Sequence, residues 1–203
     1  MSFLQVDDYP ILAPLIERLQ VKAGDLAVES VMGIDFFSPS PEVYIMDDIR
    51  LFILPAKWQG KMVDAADYKQ TDDRAWKPSA SPLQMAFATA HLRRLVDDPL
   101  VVNAMYSLSV PGCEIRPHID RESAIGEVYR LHLGLRCPDG DCALTVDGDT
   151  RRWKDGEFML FDSARVTHSA HNRTLEPRMI LIVDIDRAAM DSSAIRKDGM
   201  LIA

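Results

Sequence analysis

Three Asp-Gly dipeptides, Asp139-Gly140, Asp147-Gly148 and Asp155-Gly156, recur every eight residues in the second half of the chain. Asp-Gly tolerates the positive φ that a tight hairpin demands, so each reads as a turn and leaves room only for short strands between. The runs Val101–Val110, Tyr129–Cys137, Ala143–Val146, Glu157–Phe161 and Arg178–Asp184 fit those strands. Short antiparallel strands at this rhythm predict a mainly β sandwich or barrel, not alternating βαβ units.

Upstream of Pro99 the texture is different. Residues 8–22 predict a helix whose apolar face is Ile11, Leu12, Leu15, Ile16 and Leu19, with Pro10 near its first turn. Val28 to Phe37 reads as extended and ends at Ser38-Pro-Ser-Pro41; Val43–Met46 and Ile49–Leu54 read as a hairpin around Asp47-Asp48. From Pro55 to Ala80 the chain is polar, with Trp58, Tyr68 and Trp76, and suits either a lid over a pocket or a connector. Ser81-Pro82 opens a second helix carrying Met85, Ala88, Leu92, Leu95 and Val96. The tail after Asp186 suits a short helix and an unstructured end. The 203 residues fit one domain, in which 1–100 supports a core at 101–187.

A net charge of −8 argues against a nucleic-acid backbone or an anionic membrane as partner. No run reaches the ~18 apolar residues of a membrane span, and the start lacks a basic, then apolar, leader. The expectation is a cytoplasmic protein. Cys137 and Cys142 flank a turn and could pair in an oxidising compartment, but reduced thiols at strand ends are expected.

The chemistry concentrates in His118-Ile119-Asp120, His168 and Arg178. On an extended segment His118 and Asp120 share a face, and a histidine from a later strand completes a 2-His-1-carboxylate set with open coordination positions, which suits non-haem Fe(II) and oxygen chemistry. Arg178 opens an apolar strand, where a buried guanidinium needs an anion such as a co-substrate carboxylate. Arg130 and His132, two apart, also share a face. His91 has no second ligand at helical spacing and reads as a surface or packing residue. Trp153 reads as a packing residue at a turn.

Pro111-Gly112 to Pro117-His118, Arg130-Leu-His-Leu-Gly-Leu135, Trp153-Lys-Asp-Gly156, Phe161-Asp-Ser163, His168-Ser-Ala-His-Asn172 and Arg178-Met-Ile-Leu-Ile-Val-Asp184 resemble the aspartyl/asparaginyl β-hydroxylase family over about residues 104–187. The resemblance implies a double-stranded β-helix (jelly-roll, cupin-like) with flanking N-terminal helices. It implies Fe(II), 2-oxoglutarate and O2 as cofactor and co-substrates, and an amino-acid or aspartyl substrate, free, peptidyl or carrier-bound. It further implies that His118 and His168 bind iron, that Arg178 and Ser107 hold the distal carboxylate of 2-oxoglutarate, and that His132 meets its metal-side carboxylate. Arg130 resembles the arginine that meets an acidic substrate. Two departures stand out. Asp120 replaces a small residue of the animal members and restores the full ligand set. The stretch from Phe161 to His168 is one residue longer, which makes His171 the alternative second histidine; His168 is preferred because it keeps Arg178 at the expected spacing. Two rival readings are a cupin-like isomerase or hydrolase with the same ligands but no 2-oxoglutarate, and a non-catalytic binding module.

Overall fold

Alternation along one strand, β10 (Arg178–Asp186), shows how the barrel is built, because nearly all of it is buried on both faces. Met179, Leu181, Val183 and Ile185 enter an outer core under the N-terminal helices, whereas Ile180 and Ile182 enter a second core between the sheets. Side chains two apart share a face, so Arg178 and Asp184 belong to the inner face with Ile180 and Ile182.

The computed structural model describes residues 2–35, 51–63, 89–121 and 125–194. Besides β10, its strands are β1 (Leu51–Trp58), β2 (Lys61–Met62), β3 (Val101–Ser109), β4 (Cys113–His118), β5 (Val128–Arg136), β6 (Cys142–Val146), β7 (Asp149–Arg152), β8 (Phe158–Phe161) and β9 (His168–Asn172). They form a six-stranded sheet, β2-β1-β3-β10-β5-β8, facing a four-stranded sheet, β4-β9-β6-β7. From β3 to β10 the chain changes sheet after every strand except within the β6–β7 hairpin. That winding is the double-stranded β-helix, and β1 and β2 extend one edge of it. Around it lie α1 (Ala13–Val21), α2 (Ala23–Asp35), α3 (Ala90–Leu95) and α4 (Arg187–Ser193).

The turns form for the expected reason. Val146 pairs with Asp149, and between them Asp147 and Gly148 both sit at positive φ, 49° and 82°, the signature of a two-residue hairpin turn. Gln59 and Gly60, at 47° and 76°, do the same between β1 and β2. The short helix α3 is held at both ends. Glu29 accepts from the backbone N–H groups of His91 (2.5 Å) and Leu92 (3.1 Å) at its start, and Lys57 donates to the carbonyls of Val96 (3.1 Å) and Asp98 (2.7 Å) at its end.

Two expectations change. Val28 to Phe37 is not extended: α2 runs through it to Asp35. Its buried stripe is Leu26, Glu29 and Ser30, while the β-branched Val28 and Val31 face solvent, so packing of one helical face overrides their strand preference. The first part of the 55–80 segment is not loop: β1 continues to Trp58, with a bulge between Pro55 and Lys57, and turns back into β2. The expected strand Val43–Met46, Tyr68, Trp76 and the start of the Ser81 helix lie outside the described residues. Cys113, Cys137 and Cys142 form no disulfide.

Gly134 on β5 lets the 153–156 turn close over the barrel. A Cβ there would stand 2.1 Å from the Lys154 carbonyl oxygen and 2.9 Å from Cys137 Sγ. The turn is sewn down by Gly156 N–H to the Gly134 carbonyl (2.9 Å) and Gly134 N–H to the Glu157 carbonyl (3.1 Å), which seats Trp153 inside. Gly134→Ala is expected to lower stability by ~1–3 kcal/mol, the usual cost of overpacking, and to alter the near-UV circular dichroism of Trp153. An unchanged denaturation midpoint would show that the turn yields freely.

Candidate metal centre and carboxylate pocket

His118 ends β4, Asp120 follows two residues on, and His168 opens β9 as the partner of His118 in the ladder. Pairing puts the imidazoles together, with ring centroids 4.2 Å apart. One ligand atom from each of the three residues lies within 4.8 Å of the others. His118 Nε2 is 3.6 Å from Asp120 Oδ1, and His168 Nε2 is 3.7 Å from Asp120 Oδ2. A metal with ~2.1 Å bonds holds neighbouring donors ~3 Å apart, so a small contraction would seat one.

The tautomers suit that use. His118 Nδ1 lies 2.8 Å from the Arg116 carbonyl and His168 Nδ1 3.2 Å from the Val166 carbonyl. A carbonyl only accepts, so Nδ1 carries the proton in each ring and the neutral Nε2 presents its lone pair to the centre. Burial, with the charge of His118 adding to it, pushes His168 down to about 4 despite Asp120. The Asp120 carboxylate 3.6 Å away, and then the Arg116 carbonyl, raise His118 against its own desolvation. Burial would raise the Asp120 carboxyl, but His118, Arg130 and His168 outweigh it and hold the group well below the usual carboxylate range. His171 takes no part; its Nε2 is 2.7 Å from Asp141 Oδ1.

A second feature lies on the inner face of the six-stranded sheet. Arg178 is buried, its guanidinium 4.4 Å over the Trp153 ring and 3.3 Å from Ser107 Oγ through NH2; its Nε has no partner among the described residues. Burial lowers its pKa, an expense that an anion would remove. Trp153 also donates through Nε1 to His132 Nδ1 at 3.4 Å. An indole N–H only donates, so neutral His132 carries its proton on Nε2, and that buried N–H meets no acceptor among the described residues. Burial first, then the charges of Arg130 and Arg178, keep His132 neutral. Phe161 bridges the two features, its ring 5.1 Å from His132 and 5.4 Å from His168.

The resemblance implies an acidic substrate for Arg130, whose guanidinium lies inside the barrel and needs an anion. The structure supplies the anion internally: Nε and NH2 donate to the two oxygens of Asp184 at 2.7 and 3.0 Å, and NH1 donates to Asp120 Oδ2. Asp184 and Asn103 are the functional-site neighbours that sequence reasoning missed. The signal was parity, since Asp184 lies an even number of residues from Arg178 on one strand. Trp153 does pack as expected, and it also touches both His132 and Arg178. His91 is far from this centre in role, bonded to Glu29.

Residues 57–188 match the family model described as aspartyl/asparaginyl beta-hydroxylase. The match takes in more than half of the chain and begins upstream of the expected residue 104, so the chain belongs to that family. It is 33% identical over 112 residues to an aspartate beta-hydroxylase domain-containing protein 2 of Xenopus tropicalis, covering 50% of this chain and 29% of that protein. To an ornithine lipid ester-linked acyl 2-hydroxylase of Rhizobium tropici it is 35% identical over 88 residues, covering 42% and 30%. To the aspartyl/asparaginyl beta-hydroxylase of Mus musculus it is 31% identical over 80 residues, covering 39% and 10%. The chain thus spans less than a third of each of these relatives. Among the described residues no helix is long and apolar enough to cross a membrane.

The depressed pKa of His168 has a consequence in metal-free protein. Between its unfolded value of 6.5 and its folded value of about 4, the unfolded state binds the extra proton. Its contribution is therefore complete above pH 6.5 and is lost as pH falls towards 4. The stability advantage of wild type over His168→Gln should shrink by about 3 kcal/mol across that window, measured by urea denaturation. A pH-independent difference would contradict the burial argument.

Proposed function

We propose that the chain is an Fe(II)- and 2-oxoglutarate-dependent dioxygenase that hydroxylates an amino acid, free, carrier-bound or as an aspartyl or asparaginyl residue of a peptide. One observation carries the reading. The interior between the two sheets holds both a metal-capable His118, Asp120, His168 group at the ends of β4 and β9 and a buried Arg178 on β10 with no carboxylate beside it among the described residues.

Two neutral imidazoles and a carboxylate fit ferrous iron and leave coordination positions open. Bound there, iron would supply the activation of O2 that couples conversion of 2-oxoglutarate to succinate and CO2 with oxygenation of a C–H bond. The chain's own residues do the rest. Arg178, with Ser107 beside it, holds the distal carboxylate; the Nε2–H of His132 donates to the carboxylate nearer the metal. Phe161 and Trp153 keep water from the wall between them, so the co-substrate lies in an apolar slot with a polar group at each end. A metalloenzyme acting without 2-oxoglutarate would leave Arg178 and the His132 N–H buried without purpose, and a binding module would leave the metal group so. The aspartyl class follows the family and the names of its animal relatives; the acyl chain named for the Rhizobium protein is the other outcome of a substrate screen.

The test is turnover followed as succinate release. His118→Ala should abolish it while leaving the fold intact, since an open catalytic site contributes less to folding than a closed structural one. Arg178→Ala should raise the KM for 2-oxoglutarate at least ~30-fold, because removing one partner of a buried charge pair costs ~2–5 kcal/mol. Arg178→Lys should recover only part of that. An unaltered KM in Arg178→Ala would remove the carboxylate from this pocket.

A further inference from the structure

Arg130 has no role in the reaction as outlined, yet it is the most heavily bonded side chain beside the metal group. Asp184, fully buried, faces it with both oxygens. Asp184 Oδ2 also accepts from Asn103 Nδ2 at 2.9 Å. Asn103 is itself fixed, donating to the Ile125 carbonyl at 2.8 Å and accepting from Gln59 N–H at 2.8 Å. The chain of contacts therefore runs from the rigid β3 and β10 strands through Arg130 on β5 to the carboxylate of Asp120. The Asp120 backbone is tied separately, its N–H donating to the Ser163 carbonyl at 2.9 Å.

We propose that Arg130 is a positioning residue for the metal centre: braced by Asp184 and Asn103, it occupies Asp120 Oδ2 and presents Oδ1 alone for ligation. The inference rests on the metal reading given above. Charge arithmetic favours a geometric role. Arg130 and Asp184 cancel, so the pair adds no net charge to the site and leaves the single negative charge of Asp120. What the pair adds is direction. Without it the Asp120 side chain could rotate, offer both oxygens or close onto His118 and His168. Three of the five N–H donors of Arg130, one on each nitrogen, are engaged by carboxylates of the protein itself.

The probe is Co(II), titrated into metal-free protein and followed by its visible absorption, a readout independent of turnover. Arg130→Met combined with Asp184→Leu removes both charges together, so neither member of that buried pair is left without the other, a replacement that folded proteins often tolerate. Arg130→Lys keeps the charge but loses the directed fork. The double variant should unfold cooperatively yet bind Co(II) 10–100-fold more weakly, the usual effect of losing an outer partner of a metal ligand, with a changed spectrum. Arg130→Lys should fall between it and wild type, and it decides the matter if the double variant does not fold. Co(II) affinity within about threefold of wild type and an unchanged spectrum, even with a lower Tm, would overturn the inference, because outer partners act on the metal itself. Failure of the wild type to bind Co(II) would instead overturn the metal reading, and the inference with it.

Discussion

A barrel interior of this kind accepts a charge only when a counter-charge or a ligand meets it, and the site is organised by which charges are met. Asp184 and Arg130 meet each other across neighbouring strands β10 and β5, where they are paired in register. Arg130 in turn donates to Asp120, at the metal-capable end of the site. Arg178, on the same strand as Asp184, has an aromatic face and a hydroxyl but no acid among the described residues. One cation is therefore met by acids of the protein, and for the other we propose a carboxylate of the co-substrate. Desolvation makes that difference large, since an unpaired buried charge costs several kcal/mol where a paired one can be neutral.

Between these ends, the neutral histidines carry the polar chemistry. His168 and His132 are kept uncharged by burial, so each presents a defined lone pair or N–H at neutral pH. The same Trp153 side chain touches both the Arg178 guanidinium and the His132 ring, and it is seated by a turn that only a glycine at position 134 admits. The pocket is thus assembled by close backbone approach in one place and by side-chain stacking in the next. A change at Gly134 would be felt at Arg178 and His132 before it reached the metal-capable group.

Much of this was legible in the sequence where the signal is local. The strands between Asp-Gly turns, the helix at Ala13–Val21 and the three metal-capable residues follow from turn chemistry, periodicity and residue type. Helix α2 was not legible, because Val28 and Val31 look like strand residues until the packing of Leu26, Glu29 and Ser30 is known. Strand β7, Asp-Thr-Arg-Arg, has no apolar alternation and exists because β6 pairs with it. The partners of Arg130 were hidden for a different reason. Its neighbour Asp184 lies fifty-four residues away, and only the register of β5 against β10 brings the two together.

The central claim is that one slot joins a metal group at His118, Asp120 and His168 to a carboxylate pocket at Arg178. A crystal structure of the full chain with Mn(II) and N-oxalylglycine, a mimic of 2-oxoglutarate, tests it most directly. The account predicts one Mn(II) bound by those three side chains, with the free carboxylate of the mimic against Arg178 and Ser107. A metal bound elsewhere, or a mimic whose carboxylate leaves Arg178 without an anion, would contradict it.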